Sequence, residues 1–161
     1  MDEHIFNIEL ISLDSINILN ATLQNDAGLT TMEYLGYDIN FQYQLVPSVS
    51  ITSKRIRVVA DYEIRASKKG SDVVDIKSQY KIAFIYSVER IAEFAFPDDD
   101  ELVTVDDEML SSVLNITYST SRGILYTRCL GTVMDGLILP IIPTADLLNK
   151  PTAIKQISMK K

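Results

Sequence analysis

Cysteine, histidine and tryptophan are nearly missing from this chain of 161 residues, which has one cysteine, one histidine and no tryptophan. With Cys129 alone no intramolecular disulfide can form, which suits a reducing compartment and predicts a cytoplasmic location. With His4 as the sole imidazole, a histidine-based triad or a zinc site would have to be built around one residue near a terminus. No catalytic centre, metal or cofactor is therefore expected, and the chain is read as a non-enzyme. Gly-rich phosphate loops are also missing. Positive charge is scarce: 15 basic against 22 acidic side chains leave a net charge of −7. Such a chain repels a phosphate backbone, and Lys155, Lys160 and Lys161 are too few to reverse that, so no nucleic-acid partner is expected. No apolar run approaches the roughly 18 residues of a membrane span. The opening Met1-Asp2-Glu3-His4 is acidic, unlike the basic start of a signal peptide.

What the chain does have is a period of two. Tyr37, Ile39, Phe41, Tyr43 and Leu45 alternate with Asp38, Asn40, Gln42 and Gln44, the pattern of a strand with one buried face. Ile56, Val58, Ala60, Tyr62 and Ile64 repeat it, as do Val74, Ile76, Tyr80, Ile82 and Phe84. The turn formers at 66–72 join these last two segments into a hairpin. An N-terminal strand alternates over Phe6, Ile8 and Leu10 and again at Ile16 and Ile18. A bulge near 12–15 explains the exchange of faces between them. Four antiparallel strands with one wet face need a cover on the other.

The second half supplies the cover. Pro97 and the carboxylates from Asp98 to Glu108 end the strand pattern and suit the start of a helix, whose free amides favour negative charge. Leu110, Val113, Leu114, Thr117, Ser121, Ile124 and Leu125 then recur at helical spacing, predicting a long helix over 105–129. Gly123 inside it implies a close contact with another element, since Gly is unfavourable there by about 1 kcal/mol relative to Ala. Thr144 is placed to cap a short final helix over 145–148. The fold class is α+β: a four-stranded antiparallel sheet with one long helix and a short C-terminal helix packed on one face. Residues 1–150 form a single domain, and residues 151–161 a flexible basic tail.

Two regions attract attention as binding surfaces. The run 137–142 is almost wholly aliphatic, and Pro140 keeps it out of a regular ladder. It is either one wall of an apolar groove or a core segment. Tyr34, Leu35 and Tyr37, beside Gly36, either line the same groove or pack the sheet edge; tyrosine offers large area and a hydroxyl for a bound backbone. Cys129 has no motif around it and reads as a small buried hydrophobe. The carboxylates at 98–108 lack calcium-loop spacing and read as a solvated linker and helix start.

These residues together resemble the SecB family of export chaperones over about residues 5–148. The likeness rests on the first strand Phe6-Asn7-Ile8-Glu9-Leu10-Ile11 with Asp14-Ser15-Ile16-Asn17, on three later strands in order, and on the helix segment Tyr118-Ser119-Thr120-Ser121-Arg122-Gly123-Ile124-Leu125-Tyr126. It rests also on the ending Leu137-Ile138-Leu139-Pro140-Ile141 and Asp146-Leu147-Leu148. The resemblance implies an ATP-independent holdase, a homotetramer arranged as a dimer of dimers, that binds unfolded secretory precursors in surface grooves and passes them to the SecA motor. It implies client contacts at Tyr34, Leu35, Tyr37, Leu137, Ile138, Leu139, Ile141, Ile142, Leu147 and Leu148. Arg122 matches the family's helical arginine, as a partner for a carboxylate or as a solvated side chain. The chain departs from the pattern where SecA docks: Ser15 and Leu19 stand beside Asp14, and Lys77 and Lys81 dilute the acidic face. Divergent members act on antitoxins of toxin–antitoxin systems, which gives a second reading. A monomeric carrier of a small apolar ligand is a third, because a curved sheet closed by a helix can enclose a cavity.

Overall fold

The computed structural model describes residues 6–98, 101–148 and 154–156. The main sheet is built from β1 (Ile11–Asn25), β2 (Tyr37–Ser50), β3 (Arg55–Lys68) and β4 (Val74–Val88), all antiparallel to their neighbours, in the order β1-β4-β3-β2. Strands β2, β3 and β4 form a meander. The β2–β3 turn is made by Lys54 at φ 55, and the β3–β4 turn uses Gly70 at φ 78, a conformation that a side chain would strain.

The expected alternation holds in the central strands. Ile56, Val58, Ala60, Tyr62, Ile64 and Ala66 of β3 are fully buried, as are Ile76, Ile82, Phe84 and Tyr86 of β4. The opposite face carries charge, with Asp61 paired to Lys81 at 3.8 Å and Glu63 to Lys77 at 3.4 Å across the ladder. This is the one-dry, one-wet face of an antiparallel sheet.

The dry face is covered by α1 (Asp107–Cys129), which packs on β3 and β4. Met109, Val113, Leu114, Thr117, Tyr118, Ser121, Leu125 and Cys129 face the sheet at three- and four-residue spacing. The helix starts two residues later than expected because Val105 belongs to a strand and Asp106 is the cap. The Asp106 carboxylate accepts from the amides of Glu108 and Met109 at 3.0 Å. The short final helix, α2 (Thr144–Leu148), packs against α1.

Five further details differ from the expectations. The N-terminal strand does not begin at Phe6: residues 8–10 form a turn of 3-10 helix, with the Asn7 side chain accepting from the Glu9 amide, and pairing starts at Ile11. The bulge is present between Leu13 and Ser15, and a second lies between Ile18 and Asn20. The acidic linker contains a small hairpin of β5 (Ala95–Pro97) and β6 (Val103–Val105), whose strands are too short for periodicity to reveal. Within the tail expected to be loose, β7 (Lys155–Gln156) pairs in parallel with Ser48 and Val49 of β2, making a fifth strand. Gly123 has no atom within 4 Å of the position its Cβ would take, so no close contact within the chain accounts for it. His4, Lys160 and Lys161 lie outside the described residues.

Candidate functional site

After α1 the chain turns back along that helix. Gly131 and Gly136 sit at positive φ in the reversal. The returning segment is then fixed to the helix by polar groups. Arg122 Nε donates to the Leu139 carbonyl at 3.0 Å, and the Tyr118 hydroxyl donates to the Pro140 carbonyl at 2.7 Å. One helical turn further on, Asn115 and the Thr144 hydroxyl exchange hydrogen bonds at 3.0 and 3.3 Å. Thr144 thus ties α2 to α1 instead of capping it. Arg122 serves a backbone carbonyl, where a carboxylate partner was one of the two expectations. Prolines at 140 and 143 cannot donate to a ladder, and the segment runs along α1 as a strap outside the sheet.

The strap has two sides. Leu137 and Leu139 are buried in the core, whereas Ile138 is 65% exposed and Ile141 81% exposed. Ile142 is half-buried, as is Leu148, and Leu147 of α2 is buried. Beside the strap lies a cluster of aromatic rings. Tyr118 is 5.8 Å from Tyr43 and 6.3 Å from Tyr62 between centroids, and Phe41 stacks on Tyr43 at 5.7 Å and on Tyr62 at 6.2 Å. Tyr62 and Tyr118 are buried, while Phe41 and Tyr43 on β2 are only half-covered. Partial burial, with the nearby Asp146 charge of α2, holds the Tyr43 phenol above its ordinary value. Burial pushes the Tyr118 phenol up to about 12, against a smaller opposing effect of Arg122. Both hydroxyls therefore stay protonated at neutral pH, and that of Tyr118 keeps its bond to Pro140.

Tyr118 thus links the aromatic cluster to the strap through the Pro140 carbonyl, and Asp146 of α2 lies near Tyr43. Of the strap and α2 residues singled out from the sequence, Ile138 and Ile141 are exposed and Ile142 and Leu148 half-buried. Leu137, Leu139 and Leu147 are buried in the core. Tyr34 and Leu35 lie in a 3-10 turn just before β2, with Leu35 90% exposed. Tyr37 opens β2, half-buried, on the face it shares with Ile39, Phe41 and Tyr43. The sequence reading puts Phe41 and Tyr43 on the buried face of a strand, and names Tyr118 only within the helix segment that resembles SecB. The alternation that runs through Tyr37, continued four and six residues along, is the signal for Phe41 and Tyr43.

A second apolar surface lies at the far edge. On β1, register places Leu13, Ile16, Ile18 and Leu23 opposite dry-face or core positions of β4, yet all four are exposed. Helix α1 leaves all four partly uncovered. An open depression of about 450 Å³ lies between β1 and α1, lined by Ile18, Thr120, Gly123, Ile124, Thr127 and Arg128.

Among the described residues no group of three His, Cys, Asp or Glu side chains is placed to hold a metal ion, and no helix is long and apolar enough to cross a membrane. Cys129 is buried, 3.9 Å from the Tyr80 hydroxyl, and burial raises its thiol pKa.

No family model matches the chain, and no curated protein sequence matches it. Among solved structures, the chain is similar to the Mycobacterium tuberculosis Rv1957 SecB-like chaperone, solved in complex with a ChAD peptide from the Rv1956 HigA1 antitoxin. The two share 11% identity, and the match covers 84% of this chain and 92% of that one with a TM-score of 0.59. The fold is SecB-like. At this identity the likeness concerns architecture: the four-stranded sheet, the long helix and the short helix are the elements of the SecB-like fold.

Proposed function

We propose that this protein is a holdase chaperone that binds non-native polypeptide segments, without ATP, in the apolar region bordered by β2, α1, the strap and α2. The observation that carries this reading is the two-sided strap: Leu137 and Leu139 anchor it in the core while Ile138 and Ile141 are held out in solvent, and the Tyr118 hydroxyl ties it to the aromatic cluster. Exposing two isoleucines forgoes burial worth about 1.5–3 kcal/mol each, which a partner's apolar side chains recover. Unfolded chains share apolar side chains and backbone polar groups, and this surface offers partners for both.

The protomers assemble through the uncovered side of β1, as a homotetramer in this reading. An edge strand of 15 residues with exposed Leu13, Ile16, Ile18 and Leu23 invites pairing, and a second copy presenting the same strand is the occupant that covers this edge on both protomers at once. Several grooves on one assembly then give avidity for a long client.

Two client classes follow. Secretory precursors are one, with hand-off to SecA. The antitoxin of a toxin–antitoxin pair is the other, and the structural neighbour's bound antitoxin peptide favours it. The wet face also favours it. Asp14 is engaged by the Ser87 hydroxyl and lies 3.8 Å from Arg55, and Asp61 and Glu63 are paired with lysines, so little acidic surface is left for a basic motor segment. The carrier reading is weaker, because the depressions around β1, α1 and the wet face are open to solvent.

The test is light scattering of an aggregating, chemically unfolded client with the purified protein at equimolar ratio. Suppressed aggregation is the expected result. Unchanged aggregation overturns the proposal.

A further inference from the structure

We infer that residues 154–156 are a displaceable self-strand, which occupies the outer edge of β2 until an extended client takes its place. The inference rests on the holdase reading and concerns how that same site is regulated. Strand β2 carries Phe41 and Tyr43 of the binding region, and five residues beyond Tyr43 its outer edge is already filled. Lys155 lies opposite Ser48 and Gln156 opposite Val49, in parallel pairing. Just before them the Ile154 side chain is buried, and its carbonyl accepts from the Val103 amide at 3.1 Å, so the segment is wedged between β2 and β6. Among the described residues nothing pairs with the outer edge of β2 from Tyr37 to Pro47.

The chain's own segment therefore does to this edge what an extended client would do: it adds backbone partners and seats one apolar side chain. The hold is slight. One isoleucine and a ladder of two residues are of the same order as the entropy lost in ordering those residues, so the docked and released forms lie close in free energy. Parallel pairing is slightly weaker per residue than antiparallel pairing, which favours the exchange. Pro47 lacks an amide and marks the boundary between the open and filled parts of the edge. A client short enough to stop before Pro47 meets no competitor. One that runs the length of β2 must displace Lys155 and Gln156, and its apparent affinity is lowered by the fraction of chains in which the segment is docked. Until then the segment shields an edge that would otherwise pair with other chains.

The full-length protein tests this with two substitutions, Ile154→Asp, which cannot stay buried, and Gln156→Pro, which removes the amide opposite Val49. The probe is a fluorescein-labelled 16-residue peptide of alternating leucine and serine with three lysines for solubility, titrated by anisotropy. Both variants are expected to bind it about three- to tenfold more tightly than the parent protein. Hydrogen exchange at 154–156 in the parent should rise when the peptide saturates the site. Equal affinity in all three proteins, or a tail that stays protected with peptide bound, overturns the self-strand and leaves the holdase reading standing. Failure of all three to bind peptide overturns both.

Discussion

Tyr118 and Pro140 are joined by a 2.7 Å hydrogen bond from the phenol to the proline carbonyl, between a helix facing the core and a strap facing solvent. Through it the ring that closes the aromatic cluster also sets where Ile141 stands. Tyr118→Phe keeps the ring and removes the bond. A hydrogen bond of this kind contributes about 1 kcal/mol, and the bond is only part-buried, with Pro140 itself exposed, so the loss of global stability should be about that size. The strap should respond more than the core does. Amide exchange at 141 and 142 is expected to quicken several-fold while the core of β3 is unchanged, and uniform exchange across the chain would refute the strap's dependence on Tyr118.

Ile141 is the cleanest probe of binding, because it contributes little to the fold. Ile141→Asp replaces an exposed side chain and should change stability by no more than about 0.5 kcal/mol. Client affinity is expected to fall about tenfold, corresponding to roughly 1.4 kcal/mol of lost apolar contact and added charge. A urea melt with a peptide titration separates the two effects. Full client affinity in this variant would remove the strap from the site.

Inside the core, the hydroxyls of Tyr86 and Thr117 lie 2.7 Å apart, both buried, and lock α1 in register on β4. Thr117→Val leaves the Tyr86 hydroxyl without this partner and should cost about 1–3 kcal/mol. The double substitution Tyr86→Phe with Thr117→Val should cost less than the two single changes together, because no polar group is then stranded. Urea midpoints of the four proteins measure the coupling. Strict additivity would mean the pair is not coupled.

The buried phenols make stability sensitive to alkali. Burial pushes Tyr80, Tyr86 and Tyr118 up to about 12, and Tyr62 higher still. In the unfolded chain tyrosine ionises near 10. Below about pH 9 both states keep their protons and these groups add no pH dependence. As pH rises from 10 towards 12 the unfolded chain releases protons that the native state retains, so stability falls. Urea midpoints between pH 8 and 11.5 should drop steeply above 10, and Tyr86→Phe should flatten the decline. A midpoint that does not move would show the phenols to be accessible.

On the edge strand, Ile18→Glu places a carboxylate on the uncovered side of β1. The parent protein is expected to sediment at four times the chain's 18.1 kDa and the variant at a lower mass. A parent that is monomeric at micromolar concentration would refute assembly through β1.

The central strands were legible because Ile56 to Ala66 and Ile76 to Phe84 alternate in character at most positions, with Ser78 and Ala83 among the exceptions, and alternation is a local property of a pleated backbone. The long helix was legible for the same reason at its own period, and its start slipped by two residues because Val105 was claimed by a partner strand. The hairpin of β5 and β6 was hidden because three-residue strands carry too little periodicity. The site was half legible. Ile138, Leu139 and Ile141 stood out together as one apolar run, and nothing in their order says that Leu139 turns inward and Ile141 outward.

The sequence by itself determined the α+β class, the dry and wet faces of the sheet and the bulged first strand, because each follows from residue type and near-neighbour spacing. The tertiary structure alone decided which apolar residues stay uncovered, that Arg122 holds a carbonyl, and that Ile154 returns to the edge of β2. Each of these joins positions distant in the chain, and only the docking of the helix and the return of the tail onto the sheet bring them together.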